Sequence, residues 1–319
     1  MRAAVAARYG PPGVVRIEEV DKPAAGQGSL LIKVHATTVN RTDCGYRGAK
    51  PWIIRLFSGL WRPRASILGT EFAGVVEAVG DGVTGFQAGD RVCGYCEGTF
   101  GAHAEYMTVA ANRLIARIPE DRSYVEAAPS TEGSHYALGL FRRAGAKPGQ
   151  QVLVYGATGA IGSSAVQIGK SLGLSVTAVC GTDHVDLVES LGADRVVDYQ
   201  TEDFTKDSQR YDLVLDAVGK SSFRRCVRLL KPGGIYISSD LGFMWHGLLF
   251  SLITPLFRGR KQVFATPRRD PEAVRCLKGL IESGEFTPVI DRVYPLDEIV
   301  DAYRYVETGQ KTGNVVITV

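Results

Sequence analysis

The sequence predicts an α/β protein in which a β-rich first part is followed by a doubly wound parallel sheet. Three observations carry that prediction. A chain of 319 residues is longer than one core normally needs, so two domains are expected. Up to about Pro119 the apolar residues mostly alternate with period two, as half-buried strands do. From Gln151 the pattern changes to continuous apolar runs alternating with amphipathic helical stretches, which is how a parallel sheet covered on both faces reads.

In the first part, SLLIKVHATTV (29–39), EFAGVVEAVG (71–80) and AEYMTVA (104–110) read as strands, with GDGVTGFQAGD (80–90) a glycine-rich loop. Residues 51–64, PWIIRLFSGLWRPR, do not alternate and predict a short helix or loop with exposed aromatics. YVEAAPSTEGSHYALGLFRRAG (124–145) has helical spacing and ends at Gly145. QVLVYG (151–156), SVTAVC (175–180), DRVVDY (194–199), YDLVLDAVG (211–219) and GGIYISSD (233–240) follow as strands. The helices between them are AIGSSAVQIGKSLG (160–173), HVDLVESLG (184–192) and a stretch through FRRCVRLL. A helix, PEAVRCLKGLIESG, and a last strand, GNVVITV, form a return expected to pack on the first part. The boundaries expected are 1–124, 125–266 and 267–319.

Apolar residues make up 45% and charged residues 22%, an ordinary balance for a globular protein, and the net charge of +3 is too small to indicate nucleic acid. The basic cluster Arg258, Arg260, Lys261, Arg268 and Arg269 reads as a solvated loop edge. No apolar h-region opens the chain and no uninterrupted apolar run of about 18 residues occurs, so a cytoplasmic protein without membrane insertion is expected. Six dispersed cysteines suit reduced thiols.

The strongest local signal is VLVYGATGAIGSSAVQIGK (152–170). A strand runs straight into Gly156, Ala157, Thr158, Gly159, Ala160, Ile161 and Gly162, where a helix opens. Glycines here permit a tight bend, close approach to a pyrophosphate and close helix–sheet contact. The N–H groups of the helix start would face the phosphate charge. Dinucleotide binding is expected, the alternative being a structural turn without a ligand.

The end of the second strand decides which dinucleotide. An acid about 20 residues on usually holds the ribose 2′-hydroxyl of NAD. That position is Cys180, followed by Gly181, Thr182, Asp183 and His184. Gly181 and Thr182 can donate hydrogen bonds to a 2′-phosphate, and Lys170 and His184 add positive charge. NADPH is therefore the expected cofactor, with Asp183 arguing for NAD.

The order EVDKP, LIKVHATTVNRTD, LGTEFAGVVEAVG, VTGFQAGDRV, GAHAEY, VLVYGATGAIG, SLGADRVVDY, YDLVLDAVG and LLKPGGIYIS resembles the medium-chain dehydrogenase/reductase superfamily over nearly the whole chain. Within it the chain resembles the zinc-independent quinone oxidoreductase branch. The resemblance implies a GroES-like catalytic domain and a Rossmann domain. Ala157, in place of the first glycine of the G-x-G-x-x-G form, also matches that branch. Tyr199, Ala217, Val218 and Ser239 join the candidate cofactor residues, as does the hydroxyl of Thr131. His135 reads as a structural histidine with a possible approach to the nicotinamide.

Zinc alcohol dehydrogenases of the superfamily have a cysteine ligand where this chain has Asn40, and a histidine ligand where it has Thr70. A catalytic zinc needs three protein ligands and an open position, which Glu71 alone cannot supply. Without that Lewis acid the chemistry is expected to move to acceptors that are already electrophilic, quinones and α,β-unsaturated carbonyls. Hydride transfer builds charge on the substrate oxygen, where hydrogen-bond donors lower the barrier. Asn40 is the expected donor, Tyr46 a second donor or proton source, and Asp43 a brace for their loop; turn capping is the plainer role for Asn40 and Asp43.

An NAD(P)-dependent alcohol dehydrogenase-like enzyme and a non-catalytic NADPH-binding redox sensor are the alternatives. A small hydrophobic electrophilic substrate and a homodimer are expected. Segments 51–61 and 241–257 read first as a substrate pocket, second as a dimer contact and third as a membrane-surface contact. Cys93 and Cys96 are spaced C-x-x-C, but the lobe with further cysteines found in zinc relatives is missing, so they read as two buried thiols in a turn.

Overall fold

The computed structural model describes residues 1–96, 98–238, 259–264 and 270–319. Ser239, segment 241–257 and Arg258, Arg268 and Arg269 of the basic cluster lie outside them. The chain divides into two compact units, Met1–Glu132 with Arg275–Val319, and Gly133–Val274.

The first unit is built on strands β1 (Arg2–Val5), β2 (Arg16–Glu19), β3 (Ser29–Val39), β4 (Glu71–Val79), β5 (Arg91–Tyr95), β6 (Tyr106–Ala110) and β7 (Leu114–Arg117). The return adds β14 (Ile290–Pro295) and β15 (Asn314–Thr318). β1 and β2 pair with each other, and the larger sheet runs β14-β15-β3-β4-β5-β7 with β6 paired to β3. Alternation along β3 puts Leu30, Ile32 and Val34 into one cluster with Phe72, Val76 and Val92. Ala36, Ala73 and Cys93 enter another, against Ala127, Ile281 and Phe286. Removing a branched or aromatic side chain of this kind from water stabilises by roughly 1.5–3 kcal/mol.

The region expected as one helix over 124–145 is interrupted. It forms α3 (Tyr124–Ala127), a 3₁₀ turn at Ala128–Ser130 and α4 (Glu132–Ala144). Pro129 inside that turn has non-helical backbone angles (φ −83°, ψ 17°) and no N–H to continue the ladder. Two helices of the first unit were not evident from periodicity, α1 (Arg41–Gly48) and α9 (Ile299–Glu307). Residues 51–61 form a 3₁₀ turn, Trp52–Ile54, then α2 (Arg55–Ser58).

The second unit is a six-stranded sheet of β8 (Gln151–Tyr155), β9 (Ser175–Cys180), β10 (Arg195–Asp198), β11 (Tyr211–Asp216), β12 (Leu230–Ser238) and β13 (Lys261–Phe264). Every pairing is parallel, in the order β10-β9-β8-β11-β12-β13. Helices α5 (Ala160–Ser171), α6 (Val185–Ser190) and α7 (Phe223–Cys226) alternate with the strands; α8 (Pro271–Glu282) follows β13, and from Arg275 onward its residues belong to the first unit. The strand order reverses between β8 and β11, and ligands of open parallel sheets bind at the carboxyl ends of the strands at such a point. No helix among the described residues is long and apolar enough to cross a membrane.

Candidate functional site

In the first unit the candidate residues gather where α1 opens. Asn40 is its N-cap: Oδ1 accepts from the Asp43 N–H at 2.9 Å, and Asp43 Oδ2 accepts from the Asn40 N–H at 3.2 Å. This reciprocal cap lets a sequence with no apolar stripe, RTDCGYRG, hold a helix. Asp43 Oδ1 also accepts from the Gly69 N–H at 2.9 Å, so the carboxyl braces two loops at once. Asn40 Nδ2 donates to Thr70 Oγ1 at 2.6 Å. Both positions that carry zinc ligands in the resembled alcohol dehydrogenases are thus joined by one hydrogen bond.

Glu71 is buried beside them. Its Oε1 accepts from the N–H groups of Thr131 (3.0 Å) and Glu132 (2.6 Å) and from Thr131 Oγ1 (3.0 Å). Its Oε2 accepts from Thr38 Oγ1 at 2.8 Å. Burial raises its pKa and these donors oppose the rise. Thr131, read from sequence as a cofactor-side hydroxyl, is fully buried and bonded to Glu71 and to the Gly94 carbonyl. Sequence reasoning gave Glu71 no role, because its partners come from β3 and from the start of α4.

An amide locked to a hydroxyl, next to a carboxylate already held by four donors, does not fit zinc, which takes thiolate, imidazole and free carboxylate. No group of three or more His, Cys, Asp or Glu suited to a metal occurs among the described residues.

Burial pushes the Asp43 carboxyl up to about 7 against its backbone donors. His103 lies 3.9 Å from it, donates from Nε2 to the Thr38 carbonyl at 2.8 Å and accepts at Nδ1 from the Tyr303 hydroxyl at 3.3 Å. Burial lowers His103 to about 4, so the ring is neutral at pH 7. His135, on α4, is likewise buried and lowered to about 4.

These shifts set a pH dependence of stability. A carboxyl raised to about 7 binds its proton more tightly when folded, so its contribution weakens as pH rises from about 4 to 7. The two lowered histidines act oppositely, losing stability as pH falls from about 6.5 to 4. Asp43→Asn is therefore expected to steepen the acid loss: unfolding should take up about one more proton between pH 4.5 and 6.5 than in the parent, read from the pH slope of the unfolding free energy. Equal slopes would contradict the raised Asp43.

Tyr46 lies farther along α1, its ring packed edge-on against Phe100 with centroids 4.6 Å apart. It lines a cavity of about 200 Å³ with Ala6, Phe57, Pro63, Leu68 and Phe100. Tyr46 lines this cavity and Asn40 does not.

Cys93 lies within β5, not in a turn, and both it and Cys96 are fully buried. Burial pushes the Cys93 thiol up to about 12 and raises Cys96 as well, and Cys96 Sγ donates to the Thr70 carbonyl at 3.2 Å. These are unreactive thiols.

In the second unit the glycine turn joins β8 to α5. Gly156 has φ +82°, and a Cβ there would lie 2.5 Å from Val218 Cγ1. A Cβ on Gly162 would lie 2.0 Å from the Gly156 carbonyl oxygen, so helix and turn touch backbone to backbone. Gly159 differs, since its Cβ would meet only the Gly156 oxygen at 3.7 Å. Packing does not require glycine there; the open space lies over an α5 N-terminus with no side-chain cap. That cradle fits a pyrophosphate. Thr158, Ala160 and Ile161 are half-buried around it, whereas Ala157 is buried.

Across the switch point the Asp216 carboxylate holds the loop after β11. Oδ1 accepts from the N–H groups of Val218 (3.1 Å) and Gly219 (2.8 Å), and Oδ2 from Ser221 N–H (3.0 Å) and the Tyr236 hydroxyl (2.8 Å). The Ala217 N–H donates to the Tyr155 carbonyl at 3.0 Å. The acid ending YDLVLD was the available signal for this residue.

At the end of β9 the structure changes the charge arithmetic. Register pairs Asp198 of β10 with Cys180, and Thr182 Oγ1 lies 2.6 Å from Asp198 Oδ2 and 2.7 Å from Gln200 Oε1. Tyr199 lies over Gly181, its hydroxyl 3.2 Å from where a Cβ would be. His184 ends the short 3₁₀ turn Thr182–His184. Lys170, expected near this end, instead pairs with Asp194 at 2.6 Å, and Asp194 accepts from Val176 N–H at the opposite end of β9.

A parallel sheet with an open glycine turn at its switch point is the arrangement of a dinucleotide-binding fold. Comparison with known proteins agrees. Residues 26–120 match the alcohol dehydrogenase GroES-like domain and residues 191–317 the zinc-binding dehydrogenase family. The chain is 33% identical to 2-methylene-furan-3-one reductase of Solanum lycopersicum over 97% of its length and 76% of that protein's. It is 31% identical to the chloroplastic NADPH-dependent alkenal/one oxidoreductase of Arabidopsis thaliana, over 99% and 79%. The quinone oxidoreductase of Coxiella burnetii superposes with a TM-score of 0.86 at 26% identity, over 100% of this chain and 99% of that one. The chain belongs to the medium-chain dehydrogenase/reductase superfamily, in its quinone oxidoreductase-like branch, and is an NAD(P)H-dependent oxidoreductase.

Proposed function

We propose that the protein reduces a quinone or an α,β-unsaturated carbonyl without a catalytic zinc. The observation that carries this reading is the Asn40–Thr70 hydrogen bond at the positions where a metal would be held. An alcohol or plain ketone needs polarising there, whereas a conjugated acceptor is already electrophilic. The names of the tomato and Arabidopsis relatives support the same substrate class.

A reduced nicotinamide dinucleotide, when bound, supplies the hydride. The backbone N–H groups at the start of α5 would hold its pyrophosphate, and Asp216 keeps Val218 and Gly219 in place beside the turn. The Tyr46 hydroxyl donates to the substrate oxygen on which charge develops, from a cavity otherwise mainly apolar. Asn40 and Asp43 fix the helix that presents Tyr46.

The test is oxidation of NADPH and NADH with naphthoquinones, phenanthrenequinone and medium-chain enones. Turnover of any of these classes with metal-free protein supports the reading. Alcohol oxidation with one zinc per chain would overturn it, and coenzyme binding without turnover on any acceptor would point to a redox sensor.

NADPH is the coenzyme proposed from the sequence. The Thr182–Asp198 contact favours a second reading, NADH, because a carboxylate at the ribose end repels a 2′-phosphate and accepts from a 2′-hydroxyl. On that reading Asp198→Asn raises kcat/KM for NADPH relative to NADH about tenfold. An unchanged ratio returns the assignment to NADPH.

A further inference from the structure

Five of the seven exposed large hydrophobic side chains among the described residues fall within residues 52–61: Trp52, Leu56, Phe57, Leu60 and Trp61. Trp52, Phe57 and Trp61 are 62%, 73% and 84% exposed. A cluster this dense on a water-soluble surface marks a contact.

The loop is held firmly. The Tyr9 hydroxyl contacts Ser58 Oγ at 2.7 Å and donates to the Gly59 carbonyl at 2.6 Å, and the Arg55 guanidinium lies 4.9 Å from the Tyr9 ring centroid. The Arg64 N–H donates to the Ser58 carbonyl at 2.7 Å. Gly59, at φ +121°, makes the bend, and a Cβ there would lie 2.1 Å from the Arg62 carbonyl oxygen. The aromatics therefore project from a fixed scaffold.

Charge identifies what they meet. From Cys44 to Thr70 the chain carries no acid and five basic residues, of which Arg47 is buried and paired with Glu307, leaving Lys50, Arg55, Arg62 and Arg64. Lys50, Arg62 and Arg64 are exposed beside the aromatics. Next to Trp61, Arg62 joins the exposed Arg8 and Arg16 around an open concavity of about 360 Å³, with Glu18 as its acid. Tryptophan rings settle at the boundary between headgroups and acyl chains, and cations beside them are drawn to anionic lipid.

We infer that residues 52–61 dock the protein on an anionic phospholipid surface, the aromatics entering the interface while Arg8, Arg16 and Arg62 receive a lipid phosphate. The contact is peripheral; of its aromatics Phe57 also lines the Tyr46 cavity, so the test variants below leave Phe57 in place.

Sedimentation with vesicles of phosphatidylcholine, alone or containing phosphatidylglycerol, tests it on the full chain. The parent protein should pellet with the phosphatidylglycerol vesicles at low salt, with a tryptophan blue shift, and release as salt rises. Trp52→Ser/Trp61→Ser and Arg8→Gln/Arg16→Gln/Arg62→Gln should each bind about tenfold less well or worse while keeping the parent melting curve. Failure of the parent to pellet, equal binding to both vesicles, or undiminished binding of either folded variant would overturn the inference. So would a lipid-free dimer that Trp52→Ser/Trp61→Ser converts to monomer, which assigns the patch to a second copy of the chain.

Discussion

Gly159→Ala should leave the melting temperature unchanged yet weaken dinucleotide binding at least about tenfold, whereas Gly162→Ala should damage both. The difference lies in what each new methyl meets. At 159 the nearest atom is the Gly156 oxygen at 3.7 Å, an ordinary contact, so the only thing displaced is a ligand resting on the turn. At 162 the methyl would lie 2.0 Å from the Gly156 oxygen, 2.8 Å from its carbonyl carbon and 2.9 Å from Ala157 Cα. All three are backbone atoms, so α5 must withdraw from the strand end, at a cost of roughly 1–3 kcal/mol. Coenzyme titration by fluorescence, with thermal melting on the same samples, distinguishes the two. Unimpaired binding by a folded Gly159→Ala protein would remove the turn as the pyrophosphate site.

Glu71→Ala is expected to be the most destabilising single change in the first unit. It takes the acceptor away from the N–H groups of Thr131 and Glu132 and from the Thr38 hydroxyl in a buried setting, while the Thr131 hydroxyl keeps the Gly94 carbonyl. Orphaned buried donors cost about 1–3 kcal/mol each, and with relaxation the sum should reach roughly 3–5 kcal/mol. The apparent melting temperature should fall by about 10 °C. Glu71→Gln, which keeps one acceptor oxygen and the volume, should lose less. Equal melting of Ala and Gln variants would show that the carboxylate does not organise the junction of β3, β4 and α4.

Much of the architecture was legible in the sequence because it rests on local pattern. Period two marked β3 and β4, continuous apolar runs marked β8, β9 and β11, and the glycine turn marked the start of α5. What escaped was structure held by pairs distant in sequence or by polar caps. α1 has no apolar stripe, and its signal was an Asn40–Asp43 cap that also reads as a turn. Asp198 reaches Thr182 only through the parallel register of β10 on β9. Lys170 was assigned to the wrong end of β9, because its partner Asp194 lies in the next connection. Pro129 was a visible breaker inside an otherwise helical pattern.

The position of β15 bears on how the chain is made. It lies between β14 and β3, antiparallel to β3, with Val315 opposite Val39 and Thr318 opposite Ala36. Until residues 314–318 emerge from the ribosome, β3 lacks that neighbour and β14 has no strand to pair with. The parallel sheet, bounded by residues 133–274, is synthesised entirely within that delay. The nucleotide unit can thus acquire its fold while the flanking unit still awaits a pairing that spans some 275 residues, a contact order that favours slow closure. During synthesis β3 thus keeps one edge open until after the parallel sheet is made, and it is that edge a chaperone has most reason to shield.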